Sequence, residues 1–387
     1  MIARVQVAAY CASAVGSGTM FVRWWRLKEE DRPRVWPLYG WFSGLMCVGS
    51  VFGAVAWSVW MQFLLARFSS FVSGVTLGVT HAQTQSLLEQ QNNLEAAFFI
   101  PSAIDFVCLT VAKLMVLERM ADFALAKADG MSRRLAVGGR IVMASVVVGH
   151  VVIVSSSVAV AVFLTESASL YSASNAAYAA NITNDSINLG HQARQKNSAG
   201  LNAASVQQFS IVVVLLIVIF AFAVVGIASA RRVSSALRHM NDQHGAAGRQ
   251  LRRQIIGTTA FVFVTFLLRA VFEGMFALAR ALQNPGAECA VTASSACDST
   301  CFNQWRLMDI WIILVPEYQA MVILISSPVA MIVALWGMTS KRALRLMKSS
   351  GKQPAAARDD SEQIPVVPMG VHRGRKGKVI TIVETAV

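Results

Sequence analysis

Charge is scarce in this chain: of its 387 residues only 14% are Asp, Glu, Lys or Arg, roughly half the share of an ordinary soluble domain. That shortage excludes a water-soluble globular surface. Chemistry-bearing motifs are missing as well. There is no HExxH zinc helix, no phosphate-cradling P-loop and no GxSxG nucleophile turn. No His, Asp or Glu cluster has metal-ligand spacing. The expectation is therefore of no enzyme, no cofactor and no metal. Acidic residues are the rarer sign, 21 against 34 Lys and Arg, for a net charge of +13. Nucleic acid is not the expected partner, because the basic residues lie between apolar runs, as topology-setting loops require.

What the chain has is hydrophobicity, 55% of all residues, gathered in runs of about 20 or more that match a hydrocarbon core of roughly 30 Å. Six clear runs extend from Leu38 to Ala66, Ala96 to Leu117, Arg140 to Leu164, Gln207 to Ala230, Ile255 to Leu282 and Leu307 to Gly337. Each must satisfy its backbone hydrogen bonds internally, which makes it a helix. Met1 to Val22 is apolar and small-residue-rich, then stopped by Arg23-Trp24-Trp25-Arg26, an interfacial anchor pattern. It reads as a short first span, with a signal peptide or a clipped gene model as the rival. The fold class that follows is all-α, a polytopic bundle of seven transmembrane helices over residues 1–340 with a basic, largely disordered cytoplasmic tail over 341–387.

Sidedness rests on three signals. Arg23, Arg26, Lys28, Arg32 and Arg34 precede the first clear span. Arg119, Lys127, Arg133, Arg134 and Arg140 fill the second connection, and six arginines from Arg231 to Arg253 fill the fourth. The alternate connections hold few, so the basic ones face the cytoplasm, giving an outside N-terminus and an inside C-terminus. The third connection, on the opposite side, carries two glycosylation sequons, Asn181-Ile-Thr183 and Asn184-Asp-Ser186. The fifth holds Cys289, Cys297 and Cys301, disulfide candidates in an oxidising compartment. Zinc fits them less well, since no His is near.

Ionisable groups inside spans are costly and so are site candidates. They are Asp105, Arg269, Glu273 and Glu317, within a few turns of one depth. Arg269 and Glu273, four apart, can pair along one helix face. Asp105 and Glu317 would complete a cluster around the guanidinium, whose fork suits carboxylates. The plain alternative is a tie between three helices. Pro316 and Pro328 would loosen the last helix and fit a hinge, although proline is ordinary in membrane helices. His150 stands alone and reads as a packed, hydrogen-bonded residue.

Retinal is not expected, because rhodopsins hold it on a lysine of the last helix and Leu307 to Gly337 contains none. Glu118-Arg119 resembles the acidic-Arg switch of rhodopsin-like receptors but lacks the aromatic, and Ser327-Pro328 has no following Tyr. A different family fits better from Gln250 onward. Arg249-Gln-Leu-Arg252-Arg253-Gln-Ile-Ile-Gly, Phe266-Leu-Leu-Arg269, Ile313-Leu-Val-Pro-Glu317 and the basic exit Lys341-Arg342 resemble the tobamovirus multiplication proteins of plants and their receptor-like relatives. The firm likeness covers about a quarter of the chain, and Lys113 to Phe123 and the Arg-Pro-Arg-Val-Trp-Pro-Leu-Tyr-Gly-Trp stretch from Arg32 to Trp41 extend it more weakly. The inserted Pro316, the longer lumenal loops and the cysteine-bearing loop depart from that pattern. The resemblance implies a seven-helix protein acting through protein contacts, without catalysis.

Beyond Gly337, Lys341, Arg342, Arg345 and Lys348 line the membrane edge, where each basic residue attracts anionic lipid by about 1 kcal/mol. A terminal Thr385-Ala-Val387 fits strand addition to a PDZ domain. The expected role is receptor-like signalling or scaffolding, with the lipid bilayer and a cytoplasmic protein at the basic loops and tail as partners. The membrane is the plasma membrane or an endomembrane. The alternative is a transporter or channel conducting protons or cations along the intramembrane carboxylates. Inverted repeats, common in transporters, are not evident.

Overall fold

The computed structural model describes residues 2–26, 38–76, 81–125 and 131–238, and beyond them 253, 256–257, 260–261, 263–279, 307–308 and 322. All lie in the first of two units, Met1–Ser340 and Lys341–Val387. The helices are α1 (Ile2–Trp25), α2 (Leu38–Thr76), α3 (His81–Leu125), α4 (Met131–Ala179) and α5 (Thr183–Arg238), followed by α6 over residues 263–279. The first five are long and apolar enough to cross a membrane, which is compatible with a multi-pass membrane protein. The N-terminal segment, the weakest of the expected spans, is one of them and lies along α2. The expected last span falls outside the described residues except at 307, 308 and 322.

Neighbouring helices run antiparallel, as residue pairs along each contact show. In α1 and α2, Tyr10 meets Gly53, the Ser50 hydroxyl donates to Ser13 at 3.0 Å, and Trp24 meets Gly40. Neither Gly53 nor Gly40 has room for a Cβ beside those rings, so glycine permits the close approach. Trp60 packs on Phe98 at 4.8 Å between α2 and α3, and Phe106 on His150 at 6.0 Å between α3 and α4. Gln207 Nε2 donates to Ser157 Oγ at 2.8 Å between α4 and α5, and Ser205 Oγ to Ala277 O at 3.3 Å between α5 and α6. Two apolar clusters fill the interior. One centres on Phe42, Phe106, Leu109, Leu215 and Phe266. The other centres on Tyr10, Trp57, Trp60, Phe99, Phe272 and Phe276.

Large apolar side chains also cover part of the outer surface. Ile141, Val148, Val151, Val158 and Val162 of α4, with Phe209, Val213, Leu216, Phe220 and Ile227 of α5, are exposed at helical spacing. A contiguous apolar face of that size does not persist on a monomer in water but suits lipid. These stretches rise about 32 Å in α4 and about 27 Å in α5 at 1.5 Å per residue, close to a hydrocarbon core.

Two connections expected as loops are helical. The segment from 165 to 206 continues α4 to Ala179, turns, and restarts α5 at Thr183. The turn closes α4 with a Schellman arrangement. Asn181 takes φ of 62°, its N–H donates to Tyr178 O at 3.0 Å, and the Ile182 N–H donates to Ala177 O at 3.0 Å. Those bonds satisfy carbonyls that a helix end otherwise leaves unpaired. On the same side α3 begins at His81, well before its apolar run. The three extensions pack through small polar groups: Asn92 Nδ2 donates to Ser167 Oγ at 3.0 Å, Ser167 Oγ to Ala193 O at 2.8 Å, and Ser174 Oγ to Ser186 O at 2.7 Å. Alanine and serine allow such close helix approach, and alanine is the best helix former.

Candidate intramembrane polar site

Three of the four ionisable residues flagged by their cost are described, all three buried, and a single cavity brings them together. Asp105 sits on α3 with 5% of its surface exposed, and Arg269 and Glu273 sit one turn apart on α6 at 5% and 7%. Arg269 Nε lies 3.5 Å from Glu273 Oε1, the expected i, i+4 pair. The guanidinium also lies over the Phe106 ring, 5.5 Å from its centroid. Asp105, Arg269 and Glu273 line the cavity with Ser102, Gln208 and aromatic rings that include Trp57 and Phe272. Its volume open to the centre of a water-sized sphere is about 30 Å³, which exceeds what one water needs. The cavity lies where the two apolar clusters meet, since Phe106 belongs to one and Phe272 to the other.

Tyr10 joins the site from the N-terminal helix. It is fully buried and its hydroxyl donates to Asp105 Oδ2 at 3.2 Å. Asp105 Oδ1 and Gln208 Oε1 are buried with no hydrogen-bond partner among the described residues. A buried acceptor left without a donor costs about 1–3 kcal/mol, so the cavity demands an electropositive or hydrogen-bond-donating occupant. Glu317, the fourth expected member, lies outside the described residues, as do Pro316 and Pro328. Tyr10 and Gln208 were not legible as site residues: neutral polar groups are common in membrane helices, and spacing alone does not reveal which face meets Asp105.

Lys113 was also missed, although the cost rule that marks Asp105 applies to it. It stands four residues from the end of an apolar run, where lysine commonly reaches the interface. Instead it is buried, with 1% exposed, and its Nζ lies 4.1 Å from the centroid of the Phe266 ring. His150 packs edge-on to Phe106, as expected of a packed residue, and its Nε2 has no hydrogen-bond partner among the described residues.

Of the remaining candidates, Glu118 is exposed near the end of α3, and Arg119 follows it on the same helix. Asn181 and Asn184 are exposed at the α4–α5 turn, while Ser186 of the second sequon is buried against Ser174. Cys289, Cys297, Cys301, Thr385 and Val387 lie outside the described residues. Among the described residues Cys11, Cys47 and Cys108 are free thiols, and no three His, Cys, Asp or Glu groups come together as a metal site. No protein-family model matches the chain, and no curated protein or solved structure matches it either.

Proposed function

We propose that this chain is a seven-helix, multi-pass membrane protein, N-terminus outside and C-terminus in the cytoplasm, that signals through protein contacts in a receptor-like manner. The observation that carries this reading is the polar cavity. A carboxylate on α3 and an ion pair on α6 meet at a water-sized space inside an otherwise apolar bundle, and Tyr10 ties α1 to the same point. Charges in such a place are expensive, and their arrangement can differ between two helix packings. A shift of α6 about Arg269 would be the conformational step, read by partners at the basic loops and tail. The resemblance to tobamovirus multiplication proteins agrees with this role. Scaffolding of a cytoplasmic partner is its simplest form.

Full-length protein in nanodiscs and proteoliposomes provides the test. Arg269→Gln is expected to change hydrogen–deuterium exchange in α6 by about threefold or more, because local opening follows the local free energy. Capture of partners by the cytoplasmic tail should change with it. Unchanged exchange and capture would end the signalling reading. Proton or cation flux across proteoliposomes, abolished by Asp105→Asn, would replace it with transport.

A further inference from the structure

We infer that the polar cavity is a binding site for one small monovalent cation of the sodium class, held with water by Asp105 and Gln208. This goes beyond the signalling role and stands without it. Three observations carry it. The first is that the two acceptors without donors, Asp105 Oδ1 and Gln208 Oε1, belong to residues that line the same cavity, each 5% exposed. Two oxygens of one cavity's lining that lack partners among the described residues call for positive charge or donated protons.

The second is the charge of the lining. Among the described lining residues Asp105 and Glu273 are acidic and Arg269 is basic, leaving one negative charge in surplus. Glu273 lies beside Arg269 at 3.5 Å, and Asp105, which Arg269 also attracts, takes a neutral hydrogen bond from Tyr10. Lys113 also attracts Asp105, but it stands outside the lining. It is eight residues along α3, about 12 Å at 1.5 Å per residue, with its ammonium against Phe266. A surplus carboxylate in a low-dielectric interior carries a penalty of several kcal/mol, which a bound cation removes and a lone water does not.

The third is size and ligand type. About 30 Å³ of space open to water centres accommodates a small ion with a water, not an organic ligand. Hard alkali ions take oxygen ligands, and this wall presents carboxylate, amide and the hydroxyl of Ser102. The described residues offer no cluster of three His, Cys, Asp or Glu groups, so the site does not suit a transition metal.

The test is thermal unfolding of the purified full chain in detergent, in sodium chloride against choline chloride at equal ionic strength, at pH 8 and at pH 6. Sodium should raise Tm saturably by about 5 °C at pH 8, the size expected of a ligand well above its Kd. The rise should vanish in Asp105→Asn, shrink in Gln208→Leu and persist in Glu166→Gln, whose side chain pairs with Lys196 at 2.7 Å far from the cavity. Equal Tm in both salts would overturn the proposal and leave water as the occupant. Equal stabilisation by acid in choline, with nothing added by sodium, would also overturn it, because a proton would then neutralise Asp105. Should Asp105→Asn not fold, radioactive sodium binding decides on Gln208→Leu: about tenfold weaker binding supports the site, and unchanged binding removes it.

Discussion

Lys113 tests how far the electrostatics of single residues can be trusted. Its ammonium has the face of Phe266 as its described contact, and a desolvated cation–π contact is worth about 2 kcal/mol. Burying the charge costs several kcal/mol, so the desolvation penalty wins. Lys113→Met, which keeps the length and apolar stem, is therefore expected to leave stability unchanged or raise it by about 1–2 kcal/mol. Unfolding in a graded detergent series would measure this, and a loss above about 1 kcal/mol would show that the ammonium holds the bundle together. At this scale the sequence was informative wherever cost is local. Asp105, Arg269 and Glu273 stood out because a charge in an apolar run needs a reason, and the i, i+4 spacing gave one pair outright. Tyr10 and Gln208 escaped because their importance lies in a long-range meeting, 95 positions apart for Tyr10 and Asp105. Helical periodicity does not encode such a meeting.

The helices themselves reach farther than hydropathy suggests. An apolar window reports where lipid is, not where a helix stops, so α3, α4 and α5 were each expected to end at the membrane edge. The missed signal was compositional. The stretch from Thr165 to Ala180 is rich in alanine and serine and contains no proline or glycine, and alanine favours helix strongly. Asn181 then supplies the left-handed residue that ends it. The three extensions are held by hydrogen bonds between small polar groups more than by a large apolar seam, and a cross-link can test that seam. Ser174 Oγ and Ser186 Oγ are 3.3 Å apart, close enough for a cysteine pair to meet disulfide geometry with little movement. Ser174→Cys with Ser186→Cys is expected to oxidise in most molecules under mild oxidant, read by mass spectrometry of the linked peptide. An irregular loop over 165–206 would give slow, partial linkage and would refute the helical hairpin.

On the scale of the whole molecule, α5 sets the strongest constraint on how the chain sits in a membrane. Ile182 and Arg231 are both exposed, one beside the start of the helix and one near its end. The 49 residue steps from one to the other rise about 74 Å at 1.5 Å per residue. A bilayer with its headgroups is about 40–45 Å thick, so a crossing helix of that length has its two ends in different compartments. The arginines at 231 and 232, with those at 133 and 134 where α4 begins, gather at one end of the α4–α5 pair, and both sequons lie at the other. Cytoplasmic loops carry the excess of Lys and Arg, so the proposed orientation puts the arginine end in the cytoplasm. Ile182→Cys should therefore react with a membrane-impermeant maleimide on intact cells, and Arg231→Cys only after permeabilisation, each in a background freed of other reactive thiols. Labelling in the reverse order would invert the topology. Labelling of both positions from outside would mean that α5 does not cross the bilayer, and the cavity between α3 and α6 would then no longer be an intramembrane site.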